Sequence, residues 1–331
     1  MNQSLLTRLF KTINAQENTP IVKIAYKIIE DEQNKGHNRL ADKLSHILEG
    51  NLAKSNYEAE PNLKISKKFT IPADRRYRLP LATHVEHENL RHYMVLAPNI
   101  EEKIQRIEKE FLARERLAHH GLKPRKKILL HGSSGCGKSM TAERLAWNLG
   151  LPFYKVRFDS VISSYLGESA SNLKNLFDSV KDYPCVLLLD EFEIIGKSRG
   201  HNSSDVGEIH RIVNIVLGLL EDYDGKGILV ATTNLEGFID SALFRRFDDI
   251  IELPKPSKTE IIKLLKISFS ALNFDKNISL NNYASRMVGL SYALIVKIAN
   301  DAAKKSVISG RKEILLEDLE MAIKENKAFD K

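Results

Sequence analysis

Hydrophobic positions follow two different rhythms along this chain of 331 residues, and the rhythm changes after Lys127. Upstream the period is helical. Leu6, Leu9, Phe10 and Ile13 stand at i, i+3, i+4 and i+7. Ile21, Ile24, Ala25, Ile28 and Ile29 repeat the stripe behind Thr19-Pro20, a good N-cap and first-turn pair. Leu40, Leu44, Ile47 and Leu48 form a third stripe, and Gly50 stands where a glycine closes a helix. Residues 1–50 are therefore expected to form a small helical unit. Residues 51–98 are of mixed polarity with Pro61, Pro72, Pro80 and Pro98, which predicts a linker or an extended segment on the next domain. One more helix is predicted from an Asn99 N-cap to Gly121, with Ile100, Ile104, Ile107 and Phe111 on one face.

Beyond Lys127, short apolar runs alternate with helical stretches: Ile128–Leu130, Phe153–Val156, Val186–Leu189, Ile228–Ala231 and Ile250–Leu253. Apolar runs of this length, separated by helices, predict a parallel sheet covered on both faces. From about Ser257 the strand signal ends. Stripes such as Ile261, Leu264, Leu265 and Leu315, Leu319, Ala322, Ile323 predict an all-helical unit over residues 257–331. The fold class expected is α/β, with the sheet in residues 99–256, a helical C-terminal unit and a helical N-terminal appendage.

Composition narrows the setting. With 43% hydrophobic residues the chain is not disordered throughout. Cys136 and Cys185 form neither a disulfide framework nor a metal knuckle. The opening Met1-Asn2-Gln3-Ser4 lacks the basic and apolar regions of a secretory leader. No apolar run is long enough to span a bilayer. A cytoplasmic protein of a reducing compartment is expected. The net charge of +7 permits contact with nucleic acid without requiring it, because Lys and Glu are interspersed.

The strongest chemical signal is Gly132-Ser133-Ser134-Gly135-Cys136-Gly137-Lys138-Ser139, a G-x-x-x-x-G-K-[ST] loop between a predicted strand and a predicted helix. Its glycines let backbone N–H groups converge on phosphates at a helix N-terminus. Lys138 is expected to contact the β- and γ-phosphates of ATP, and the Ser139 hydroxyl to bind Mg²⁺. Cys136 fills space within the loop, a redox role being the less economical reading. Val186-Leu187-Leu188-Leu189-Asp190-Glu191 then carries two carboxylates to a strand's C-terminal end, where open α/β sheets bind ligands. Asp190 is expected in the Mg²⁺ shell and Glu191 as the group that polarises the attacking water. Asn234, at the tip of the run Ala231-Thr232-Thr233, is placed to position that water. Arg245 and Arg246, between Phe244 and Phe247, suggest an exposed basic turn of the kind that supplies an arginine finger to a neighbouring subunit.

In this order of motifs the chain resembles the AAA clade of the AAA+ ATPases from about Leu96 to Asn326. The resemblance implies an oligomeric ring, homohexameric in the family's manner, hydrolysing ATP with Mg²⁺ and acting on a protein substrate. Tyr165-Leu166-Gly167, within Ser163–Ser169, is similar to the family's first pore loop, in which Tyr165 would grip an extended polypeptide with Leu166 beside it. Asp224-Gly225 resembles the start of the intersubunit signalling motif, and Gly289–Ala293 the lid segment in which this clade lacks a sensor arginine. The adjacent arginines depart from the family's wider spacing, which leaves Arg245 and Arg246 both candidate fingers, with Arg246 favoured by the following Phe247-Asp248. Lys226 and Glu193 are further departures.

His84-Val85-Glu86-His87-Glu88-Asn89-Leu90-Arg91-His92 looks superficially like a protease zinc motif. Its His87 and His92 are five apart, about 140° around a helix, so the stretch is expected to be a solvated segment. No proteolytic centre is predicted, and any protease or adaptor served would be a separate chain. The basic cluster Lys123, Arg125, Lys126, Lys127 lacks interleaved aromatics and is expected to be a solvated turn. Two other classes stay open: a nucleic-acid loader or helper, and a nucleotide-gated assembly scaffold.

Overall fold

The computed structural model describes residues 70–74, 77–161, 166–192, 214–234, 245–270, 273–274, 279–311 and 313–327, with scattered residues between 25 and 48 that include a helix over 40–48. Two compact units are present, Met1–Lys67 and Lys68–Lys331. In the first, Ala25, Ile29, Ala41, Leu44 and Leu48 are buried together, with Ile28, Leu40 and Ile47 packed around them. All but Ala41 are members of the second and third helical stripes. The stripe from Leu6 to Ile13 lies outside the described residues.

The main sheet of the second unit has six strands: β1 (Ala82–Val85), β2 (Lys127–His131), β3 (Phe153–Val156), β4 (Val186–Leu189), β5 (Ile228–Thr233) and β6 (Asp249–Glu252), in the spatial order β1-β3-β4-β5-β2-β6. The C-terminal unit is not all-helical as expected: two-residue strands Asn273–Phe274 and Glu313–Ile314 pair in parallel there, too short to leave an apolar run in the sequence. All pairings among β2 to β6 are parallel. β4 and β5 are buried along their whole length. That is why both are apolar runs instead of alternating ones: each has a covered layer above and below. The main core under the sheet includes Leu176, Phe177, Val180, Leu187, Leu189, Leu220 and Leu229.

The strand order has a direct consequence for chemistry. β4, β5 and β2 are adjacent, with Leu189 opposite Ala231 and Leu130 opposite Thr232. The three segments that leave their C-terminal ends therefore start side by side. These are the segments beginning at Asp190, Asn234 and Gly132.

β1 was not predicted. It pairs antiparallel with β3, Ala82 opposite Val156 and Val85 opposite Phe153. The following stretch is not simply solvated, as expected for His84–His92. His87–Asn89 forms a single 3₁₀ turn, and the rings of His87 and His92 stack on Trp147 at centroid distances of 4.2 and 3.8 Å. Among the described residues, no cluster of His, Cys, Asp or Glu suited to a metal occurs.

The predicted helix from Asn99 is a helix over Pro98–Leu112 with Ala97 as N-cap, followed by a short helix Arg114–His119. Proline takes an early helical position, where its missing N–H costs nothing. Ile100, Ile104, Ile107 and Phe111 are its buried face. Helix Lys138–Leu149 begins inside the glycine loop and ends at Gly150, whose φ of 62° closes it. The C-terminal helices Lys258–Ser268, Leu280–Met287, Tyr292–Ile308 and Leu316–Lys327 share a second core of Ile261, Leu265, Met287, Ile295, Ile298 and Leu319. Val95 joins that core from the segment before Pro98. Among the described residues, no helix is long and apolar enough to cross a membrane.

Candidate active site

The loop from Gly132 to Gly137 turns back under the start of its own helix. Its glycines are required by geometry. Gly132 has φ 133°, and a Cβ there would sit 2.3 Å from the Leu253 carbonyl oxygen. Gly137 has φ 90°, in the left-handed region that favours glycine. A Cβ on Gly135 would meet the Ser291 hydroxyl at 2.8 Å, because the C-terminal helical unit closes down on the loop here. The Ala293 amide donates to the Gly135 carbonyl at 3.0 Å.

Lys138 is 7% exposed. Its ammonium donates to the Gly132 and Ser133 carbonyls at 2.7 and 2.9 Å and to the Asn234 side-chain oxygen at 2.8 Å. A buried ammonium needs this set of acceptors. β2 delivers the loop and β5 delivers Asn234, so the neighbouring strands bring the two residues together.

Asp190 leaves the end of β4 and is held at three points. The Ser139 hydroxyl donates to its Oδ1 at 2.7 Å and the Thr232 hydroxyl to the same oxygen at 2.6 Å. Lys155, on β3, donates to Oδ2 at 2.6 Å. Burial alone raises the Asp190 pKa, but these three hydrogen bonds and the Lys155 charge outweigh it and hold the carboxyl below its ordinary value. Glu191 follows with φ 53°, unusual for a residue with a side chain. Its amide donates to the Thr232 hydroxyl at 3.0 Å and its side chain is exposed. Thr232 thus fixes both acids of the pair.

Lys138, Ser139, Asp190, Glu191, Thr232 and Asn234 line one pocket of about 600 Å³, with Lys155 outside its lining. Ser134 to Ser139, Asp190, Glu191 and Asn234 form its polar side. Met94, Val95, Leu264, Ile267, Tyr292 and Val296 supply an apolar side from the segment before Pro98 and from the C-terminal helices. Arg91 lies at its edge and is tied to the helix Lys138–Leu149 by Glu143, which accepts the Arg91 amide and Nε, both at 2.9 Å. A polar cradle beside an apolar slot suits a nucleotide, phosphates at the loop and base in the slot. The Ser139 hydroxyl and Asp190 carboxylate are oxygen donors of the kind Mg²⁺ takes.

Cys136, 1% exposed, sits in the loop, and burial pushes its thiol pKa up. Arg245 and Arg246 do not line this pocket. Arg245 is exposed, while Arg246 pairs with Glu221 at 3.2 Å. Tyr165 lies outside the described residues. Leu166 and Gly167 open the helix Leu166–Lys181. Sequence reasoning missed Lys155, Arg91 and the Thr232 hydroxyl. Lys155 carried a visible signal, a lone charge inside the apolar run Phe153–Val156.

Sheet order, glycine loop and paired acids define a P-loop nucleotide-hydrolysing protein. Residues 128–255 match the family model described as "ATPase family associated with various cellular activities (AAA)". An uncharacterised AAA family ATPase of Sinorhizobium fredii is 32% identical over 91% of this chain and 89% of its own length. A proteasome-activating nucleotidase of Methanosphaerula palustris is 32% identical over 61% of this chain and 51% of its own. An ATP-dependent zinc metalloprotease FtsH of Rhodothermus marinus is 31% identical over 60% of this chain and 29% of its own. The match thus spans about half of the nucleotidase and under a third of the metalloprotease. The chain belongs to the AAA family and is an ATPase.

Proposed function

We propose that this ATPase works as a homohexameric ring that unfolds or remodels a protein substrate, gripping it with Tyr165-Leu166-Gly167. Support comes from one juxtaposition above all. Lys155, on β3, bonds to Asp190 at the end of β4, and the connection between these two strands carries Tyr165-Leu166-Gly167. The likeness to the proteasome-activating nucleotidase and to FtsH points the same way, since both are named for work beside proteolysis. In this reading Lys138 and the loop amides hold the phosphates, and Ser139 and Asp190 hold Mg²⁺. Bound Mg²⁺ supplies charge neutralisation of the phosphates. Glu191 orients and deprotonates water with Asn234 beside it, and Arg246 or Arg245 completes a neighbour's site. For Arg246 that requires release from Glu221.

The appendage is 1–50, the ATPase domain 99–256 and the lid 257–331, with the segment 51–98 between them lending β1 to the ATPase sheet and Met94 and Val95 to the pocket. Any protease or adaptor is a separate chain, and the cytoplasm is the setting. The basic cluster argues against the nucleic-acid alternative, because its charges are already matched. Lys123 and Lys126 face Asp224 at 3.6 and 3.4 Å, and Arg125 faces Glu110 and Asp249.

The test is a trap. Glu191→Gln protein, purified with ATP and Mg²⁺ from its host, should retain a polypeptide that Glu191→Gln/Tyr165→Ala loses. Retention of nuclease-sensitive nucleic acid and no polypeptide overturns the proposal.

A further inference from the structure

Lys155 interrupts a strand that is otherwise closed to solvent. Phe153, Tyr154 and Val156 are 1, 6 and 3% exposed, whereas the Lys155 side chain is 49% exposed. Its main chain is fixed by pairing with β4, where Lys155 stands opposite Leu188. From there the side chain runs along the strand direction to Asp190, two residues further on, and its Nζ meets Oδ2 at 2.6 Å.

An ion pair with one partner half in solvent contributes little to folding. The Asp190 end is different: that side chain is 12% exposed, and the pair is also directional, because Oδ1 is already taken by Ser139 and Thr232. Lys155 therefore neutralises the one carboxylate that the ATPase reading assigns to Mg²⁺, and it does so through the oxygen left over. A fixed positive charge beside that carboxylate opposes the approach of a second cation. It also holds the oxygen pair in one orientation.

We infer that Lys155 is a resident counter-cation that positions Asp190 and keeps the affinity of the site for free Mg²⁺ low, so that the metal enters together with nucleotide phosphates. The inference rests on Asp190 belonging to the Mg²⁺ shell. Two properties follow. Without nucleotide, Asp190 is satisfied by protein donors alone and the site does not need a metal to fold. With nucleotide, the phosphate charge tips the balance in favour of the metal.

The experiment measures binding without turnover. A fluorescent ADP analogue is titrated onto wild-type, Lys155→Met, Lys155→Arg and Asp190→Asn protein at a series of MgCl₂ concentrations, with thermal unfolding as a check on folding. For Lys155→Met the half-saturating Mg²⁺ should fall roughly three- to tenfold, with Lys155→Arg staying near wild type. An unchanged or raised half-saturating Mg²⁺ in folded Lys155→Met overturns the inference. If Asp190→Asn leaves the Mg²⁺ dependence at the wild-type value, the assignment of Asp190 itself fails, and the two failures are thereby separated. Should Lys155→Met unfold, Lys155→Gln, which keeps a polar stem of similar reach, carries the same expectation.

Discussion

The ammonium of Lys138 lies 2.8 Å from the side-chain oxygen of Asn234, a residue 96 positions downstream. Adjacent parallel strands make the contact possible, and it means that the strand tip holds Lys138 as well as facing the pocket. Asn234→Ala removes one acceptor from a buried cation but leaves the Gly132 and Ser133 carbonyls in place. ATP affinity should change only a few-fold, while kcat falls on the order of 10²-fold through misplacement of the reacting groups. Equilibrium binding and steady-state hydrolysis on one preparation check both halves.

Glu191→Gln should bind ATP at close to wild-type strength and lose hydrolysis by about 10²- to 10⁴-fold. The Thr232 contact is made to the Glu191 amide, which the substitution leaves intact. A single-turnover assay distinguishes this from a mere loss of affinity.

Gly132→Ala and Gly150→Ala should differ sharply although both glycines have positive φ. The first would drive a Cβ to 2.3 Å from the Leu253 carbonyl, whereas nothing lies within 4 Å of the second. A loss of roughly 3 kcal/mol or more is expected at Gly132, together with loss of nucleotide binding. At Gly150 about 1 kcal/mol is expected, with binding retained. Denaturant melts and nucleotide titrations of the two variants check this.

Arg144 donates to Glu101 at 2.8 Å and, through its hydrogen bond, holds that carboxyl below its ordinary value of 4.5 against the opposing effect of burial. A depressed folded-state pKa contributes stability that is complete above the ordinary value and is lost as pH falls through the folded one. Glu101→Gln should therefore cost roughly 1–2 kcal/mol at pH 7. The gap to wild type should close as the pH drops below 4.5. Urea melts across an acid series measure that closing gap.

Both cysteines are buried, and burial pushes the Cys185 thiol up to about 12 and raises that of Cys136. Neither thiol should react with a maleimide at neutral pH until the protein unfolds. Labelling kinetics should then follow global unfolding measured by circular dichroism. Fast labelling of native protein at Cys136 would restore the idea of a redox-sensitive loop.

Much of this could be seen in the sequence because the chemistry is local. The glycine loop must be contiguous to wrap a phosphate, and Val186–Leu189 must be apolar to sit inside a covered sheet, so both leave marks within a few residues. β1 leaves none. Its Thr83 and His84 are exposed on an edge strand, and its partner β3 lies about 70 residues away, so neither alternation nor spacing betrays it. The helix Pro98–Leu112 begins one residue before the expected Asn99 cap because Pro98 itself suits an early helical position. Its break at Ala113 has no sequence signal. Lys155 and Thr232 escaped for another reason. Their roles arise from contact across neighbouring strands, which an alternation of apolar and polar residues cannot express.

The chain has one tryptophan, and the structure places it at the far end of the helix that starts in the glycine loop, with two imidazoles on its indole. All tryptophan emission of the molecule thus originates at a single spot. Its colour and lifetime report whether residues 87–92 remain docked on that helix. They give the experimenter a native optical gauge of the docking with no label attached.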